Sequence, residues 1–132
     1  MSDSVIPESH ADILAKSGFA HVATIGPDGK PQSSPVWYGW DGSVLSFSQT
    51  TGRQKYKNLQ RDGVVALSIT DPDNAYRYIE LRGPVTIEDD GDNTFINSMA
   101  KKYLGQDEYP WHQPGDVRVV VRVTPTHTSQ MG

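Results

Sequence analysis

Residues 19–49, which run FAHVATIG, PDGK, PQSSPVWYGW, DG and SVLSFSQ, decide the fold. Apolar residues alternate with small polar ones in three short runs, and Pro27-Asp28-Gly29-Lys30 and Asp41-Gly42 stand between the runs with residues that favour tight turns. The pattern predicts three consecutive antiparallel strands, a meander and not a βαβ unit. Pro35 has no N–H for a ladder, which puts its strand at a sheet edge or at a break in pairing.

Outward from this stretch the alternation returns twice. VVALSIT (64–70) and AYRYIELRGPVTIE (75–88) flank the turn Asp71-Pro72-Asp73-Asn74, and the second run reads as one long strand kinked at Gly83-Pro84. VRVVVRVTPTHTSQ (117–130), with charges at Arg118 and Arg122, reads as a sixth and last strand. Three short helices are expected: one after Pro7 with Gly18 at its C-cap, one over GRQKYKNLQRD (52–62), and one over NTFINSMAKKYLG (93–105), preceded by the carboxylates of Asp89, Asp90 and Asp92. Six antiparallel strands and three short helices predict a mainly β, α+β barrel in a single domain over residues 1–132, because closure removes exposed sheet edges.

A chain of 132 residues with net charge −4 presents no overall positive field for nucleic acid or an anionic membrane. With no Cys there is no disulfide, thiolate metal site or cysteine nucleophile, and the expected compartment is cytoplasmic. Asp3, Glu8, His10 and Asp12 interrupt the first twenty residues, so no targeting segment is expected there. The four His residues show no metal-ligand spacing, and G-x-G-x-x-G, G-x-x-x-x-G-K-[ST] and G-x-S-x-G are all missing. Neither a metal nor a nucleophilic catalytic residue is expected.

The chemistry concentrates at Thr50-Thr51-Gly52-Arg53-Gln54-Lys55-Tyr56-Lys57. Between Gly52 and Asp62, Arg53, Lys55, Lys57 and Arg61 stand against the one acid Asp62 within a chain of net charge −4. Cations and hydroxyls at a helix start suit a phosphate, although a solvated helix face has the same composition. On Gln32-Ser33-Ser34-Pro35-Val36-Trp37 the broken ladder leaves backbone groups for a planar ring, or the segment is an ordinary edge strand. Tyr76 and Tyr78 share one strand face, which spacing alone reads as core.

Taken together, FAHVATIGPDGKPQSSPVWYGWDG and TTGRQKYKNLQRDGVVALSITDPDNAYRYIELRG resemble the pyridoxamine 5′-phosphate oxidase-like split β-barrel flavoproteins, and within them the deazaflavin-dependent actinobacterial branch. The resemblance runs from about Phe19 to Val123. It implies a homodimer with a flavin or deazaflavin in a groove at the subunit interface. It assigns the phosphate to Arg53, Lys55 and Lys57 with Thr50 and Thr51, and the ring to Gln32, Ser33, Ser34, Pro35, Val36 and Trp37. Tyr76 and Tyr78 are implied to reach the site from the partner. Several relatives carry Asn where this chain has Pro35, so a side-chain amide contact to the ring is missing here.

F420 is the expected cofactor, with FMN as the alternative, and its oligoglutamate tail would draw on Lys30, Arg61 or Arg77. The expected activity is hydride transfer from reduced F420 to a conjugated acceptor such as an enone, quinone, lactone or tetrapyrrole. A non-catalytic protein that binds the coenzyme or a tetrapyrrole is the rival from another class. Trp40, Trp111 and His112 are equally candidates for the acceptor pocket and for structural roles.

Overall fold

A computed structural model describes residues 5–132; residues 1–4, where the acidic N-terminal stretch begins, lie outside that range. A 3₁₀ turn (Glu8–His10) leads into α1 (Ala11–Ala15), followed by β1 (Ala20–Ile25), β2 (Pro31–Val36), β3 (Gly39–Trp40), β4 (Leu45–Thr50), α2 (Gln54–Arg61), β5 (Val64–Asp71), β6 (Asn74–Asp89), α3 (Thr94–Leu104), β7 (Arg118–Val123) and β8 (His127–Met131). Every strand pairing is antiparallel, and the hydrogen-bonded path runs β2-β1-β5-β6-β7-β4-β3, with β8 also on β6. This is a mainly β split barrel with short flanking helices.

Eight strands replace the expected six, and each extra one has a local cause. The run 31–40 divides because Tyr38 leaves the ladder: its N–H donates to Tyr103 Oη (3.1 Å) and its carbonyl accepts from Lys102 Nζ (2.7 Å). β2 therefore pairs with β1 while β3 pairs with β4, which goes on to pair with β7, so the expected meander does not form. The last run divides at Thr124-Pro125-Thr126, where Pro125 cannot donate; β7 joins β4 and the second half of β6, and β8 joins the first half. Pro35 lies on the edge strand β2, opposite His21.

β6 is continuous through the expected kink. Residues up to Pro84 pair with β5 and those from Val85 pair with β7, so one strand serves both halves of the barrel. Gly83 makes the crossing possible: a Cβ there would fall 2.0 Å from the Thr124 carbonyl oxygen.

The core contains Ile13, Leu14, Tyr38, Leu45, Phe47, Ile69, Ile79 and Leu81, all fully buried. Each aliphatic member contributes roughly 1.5–3 kcal/mol by leaving water. Tyr38 keeps its hydroxyl satisfied there by donating to the Ile13 carbonyl (2.8 Å), which ties α1 to the barrel. Gly18 is not the C-cap of α1, which ends at Ala15 with Lys16 in extended conformation; Gly18 instead packs against Pro72 and Tyr38. α3 is fixed at both ends, by the buried Asp90 carboxylate accepting from the Phe95 (3.0 Å) and Ile96 (3.2 Å) N–H groups, and by Gly105 at φ 71°.

Candidate functional site

The basic segment forms the start of α2. Asn58, fully buried, anchors this helix by donating to Thr24 Oγ1 (3.0 Å) and Gln32 Oε1 (3.1 Å), so α2 is bolted to β1 and β2. Its first turn is left without a side-chain cap, and Arg53 stands at the N-cap in extended conformation. Lys55 is buried, with Nζ donating to Ser34 Oγ (2.8 Å) and lying 5.8 Å from the centre of the Phe47 ring. Burial, and secondarily the charge of Arg53, pulls the Lys55 ammonium down to about 8.

Between this turn and α3 lies a cleft of about 360 Å³. Gln32, Ser34, Pro35, Val36 and Trp37 line it from β2 and its end; Ser48, Gln49 and Thr50 from β4; Arg53, Gln54 and Lys55 from α2; and Phe19, Ile96, Met99, Tyr109 and Arg118 complete it. Three lining residues are cationic and none is acidic. A buried ammonium without a carboxylate costs free energy unless an anion completes it, so the cleft fits a phosphate-bearing ligand.

Arg118 strengthens that fit, and the sequence reading did not single it out as a site residue. Its side chain is buried, Nη1 donates to Ser48 Oγ (3.1 Å), Cζ lies 4.7 Å from the centre of the Tyr109 ring, and Nε has no partner. The available signal was the charge alternation of VRVVVRV, which Arg118 shares with Arg122. Only the fold separates them, because Arg122 pairs with Glu88 (2.9 Å) on the neighbouring strand.

Aromatic rings close the other side. Trp37 stacks on Tyr103 at 4.9 Å and 10°, and meets Tyr109 edge-on at 5.9 Å. Tyr109 meets Trp111 at 5.6 Å and His112 at 5.2 Å, and its N–H donates to Asn97 Oδ1 (2.9 Å). Trp111 and His112 thus join the cluster at the cleft, whereas Trp40 packs against the core.

Of the residues expected in the site, Gln32, Ser34, Pro35, Val36, Trp37, Thr50, Arg53 and Lys55 come together in this cleft. Ser33, Thr51 and Lys57 lie beside it without lining it; Ser33 and Lys57 are exposed, and the Thr51 N–H donates to the Val117 carbonyl (2.9 Å). Tyr76, 86% exposed, and the half-buried Tyr78 stand on β6 outside the cleft of their own chain, so neither is the core residue that spacing suggested. Arg77 is committed elsewhere, to Asp12 (2.6 Å), Asp71 (2.8 Å) and the Ser9 carbonyl (2.5 Å), and so is not a spare cation. Arg61 bonds Asp62 (3.2 Å) and the Ile25 carbonyl. Among the described residues no group of three His, Cys, Asp or Glu could hold a metal, and no helix is long and apolar enough to cross a membrane.

The sequence profile described as pyridoxamine 5′-phosphate oxidase matches residues 6–132. A solved F420 reductase is 41% identical, with a TM-score of 0.84, over 94% of this chain and 98% of its own. A conserved hypothetical protein of Mycobacterium tuberculosis is 26% identical, with a TM-score of 0.73, over 99% of this chain and 88% of its own. The general stress protein 26 of Bacillus anthracis, 21% identical with a TM-score of 0.70 over 94% of this chain and 92% of its own, shares the fold.

Proposed function

This chain belongs to the pyridoxamine 5′-phosphate oxidase family, and from that premise we propose that it is an oxidoreductase that uses the deazaflavin F420 to reduce a conjugated acceptor. The observation that carries the reading is the charge of the cleft, where Arg53, Lys55 and Arg118 stand without an acid. The 41% identity to an F420 reductase supports F420 over FMN.

In this reading Arg53, Lys55 and the uncapped first turn of α2 hold the phosphate, with the Thr50 hydroxyl beside them. Ser34 keeps the Lys55 ammonium aimed, and Gln32, itself held by Asn58, lies with Pro35 and Val36 along the ring. When bound, the reduced deazaflavin supplies a hydride to the acceptor. The chain's part is to bring donor and acceptor carbons to roughly 3–3.5 Å and to exclude water, with the proton drawn from solvent. No side chain acts as a nucleophile. The protein is a homodimer in this reading, and Tyr76 and Tyr78, outside their own cleft, complete that of the second subunit.

Titration with oxidised F420 and, in parallel, with FMN, following fluorescence of the three Trp residues, tests the reading. Saturable quenching by F420 alone is expected. Quenching by FMN alone assigns the FMN branch, and quenching by neither overturns the cofactor site. F420 binding with no oxidation of the reduced coenzyme by any of a panel of enones, quinones and lactones identifies a carrier.

A further inference from the structure

The phosphate reading counts Arg118 toward the positive charge of the cleft but gives its side chain no contact of its own. This guanidinium is 8% exposed, its Nε has no partner, and its one side-chain hydrogen bond goes to the neutral Ser48 hydroxyl. Buried charged donors are costly when unsatisfied, so a built position of this kind is completed by an electron-rich oxygen. Lys55 and Arg118 line the cleft from different elements and have different partners. Lys55 is tied to Ser34 on β2, while Arg118, on β7, lies over the Tyr109 ring. Tyr109 in turn is held by Asn97 and stands edge-on to Trp37 and Trp111, where a flat conjugated molecule would lie.

We propose that Arg118 receives the oxygen of the acceptor, and that the acceptor is a planar conjugated molecule carrying a carbonyl or carboxylate oxygen on the Tyr109 side of the cleft. The assignment rests on the oxidoreductase reading above for its chemical role. Hydride added to the far carbon of a C=C–C=O system forms a C–H bond there and moves the π pair toward the carbonyl oxygen, which becomes an enolate. Arg118 neutralises that charge, and a proton from water ends on the carbon next to the carbonyl. The acceptor gains two electrons and two hydrogens, and the reduced deazaflavin is the two-electron donor.

The test uses 2-naphthoate, a flat ring with an anionic oxygen, read by tryptophan quenching because Trp37 and Trp111 adjoin Tyr109. Wild-type protein is expected to bind 2-naphthoate at least tenfold tighter than neutral 2-naphthamide, with or without F420 present. Arg118→Met should lose tenfold or more in 2-naphthoate affinity while its F420 affinity stays within threefold, and Lys55→Ala should show the opposite pattern. With 2-cyclohexen-1-one, kcat/KM of Arg118→Met should fall at least tenfold. Equal binding of acid and amide overturns the proposal, as does displacement of 2-naphthoate by F420 or a loss of F420 affinity alone in Arg118→Met, which would make Arg118 a phosphate ligand. If Arg118→Met does not fold, the comparison of acid and amide on wild-type protein decides. The naphthoate measurements need no cofactor, so failure to bind F420 would overturn the preceding reading and leave this result standing.

Discussion

Lys55 is a cation whose charge the fold by itself opposes. Its ammonium is pulled from the ordinary 10.5 to about 8, first by burial and then by Arg53. Between these values the unfolded chain binds more protons than the folded one, so cofactor-free stability should rise with pH through about 8 to 10.5. Anion affinity runs the other way, because the charged form does the binding: F420 affinity should fall as pH rises through about 8. Melting curves and titrations from neutral to alkaline pH, with Lys55→Ala as the comparison in which both trends flatten, check the pair. At neutral pH Lys55→Ala should lose about 1.5–3 kcal/mol, roughly ten- to a hundredfold in F420 affinity. Arg53 and Lys55 were legible as candidates because charge density along a short segment is visible without a fold. Arg118 was not, since its meaning depends on which groups face it across β4 and from the loop carrying Tyr109. Asp71 is similar: it reads as a turn residue, yet it is buried between Lys16 (2.8 Å) and Arg77 (2.8 Å), whose hydrogen bonds with the Asp73 N–H hold its carboxyl well below the usual range.

At the scale of elements, two positions carry more than their neighbours. Asp90 satisfies two N–H groups in the first turn of α3, the helix whose Ile96 and Met99 line the cleft and whose Lys102 and Tyr103 hold Tyr38. Asp90→Ala should cost about 0.5–2 kcal/mol, read as a lower urea midpoint with unchanged slope. Gly83→Ala should cost at least about 1–3 kcal/mol, because the added Cβ meets backbone that cannot rotate away; a melt with near-wild-type midpoint would contradict the crossing described for β6. The long strand through Gly83-Pro84, the turns, the edge position of Pro35 and all three helices could be read from local residue chemistry, although the expected kink is a change of partner within a continuous β6. The break after Val36 could not, because the groups that take the backbone of Tyr38 out of the ladder come from Lys102 and Tyr103, far along the chain. Once that break was missed, β4 was placed next to β2, when it pairs with β3 and β7.

For the whole molecule, the proposed dimer makes a prediction at a residue outside the cleft of its own chain. Light scattering should give about twice 14.6 kDa, and Tyr76→Ala should weaken F420 binding although Tyr76 lines no part of the cleft of its own chain. A protein with the mass of one chain, or an unchanged affinity in Tyr76→Ala, would remove the partner's share of the site. Overall charge was a poor guide at this scale, since a net −4 hides a cleft whose charged lining residues are all cations. The pairing of β4 with β7 has one more consequence, for the making of the protein. Thr50 finds its ladder partner only at Arg118, and Phe47 only at Val121. On a ribosome adding about 5–20 residues per second, β4, paired until then only with the short β3, therefore waits several seconds for β7, with Phe47 unpaired meanwhile. The wall that carries Ser48, Gln49 and Thr50 is thus among the last parts of the nascent chain to be completed, and a premature stop before β7 would leave an open edge that invites aggregation.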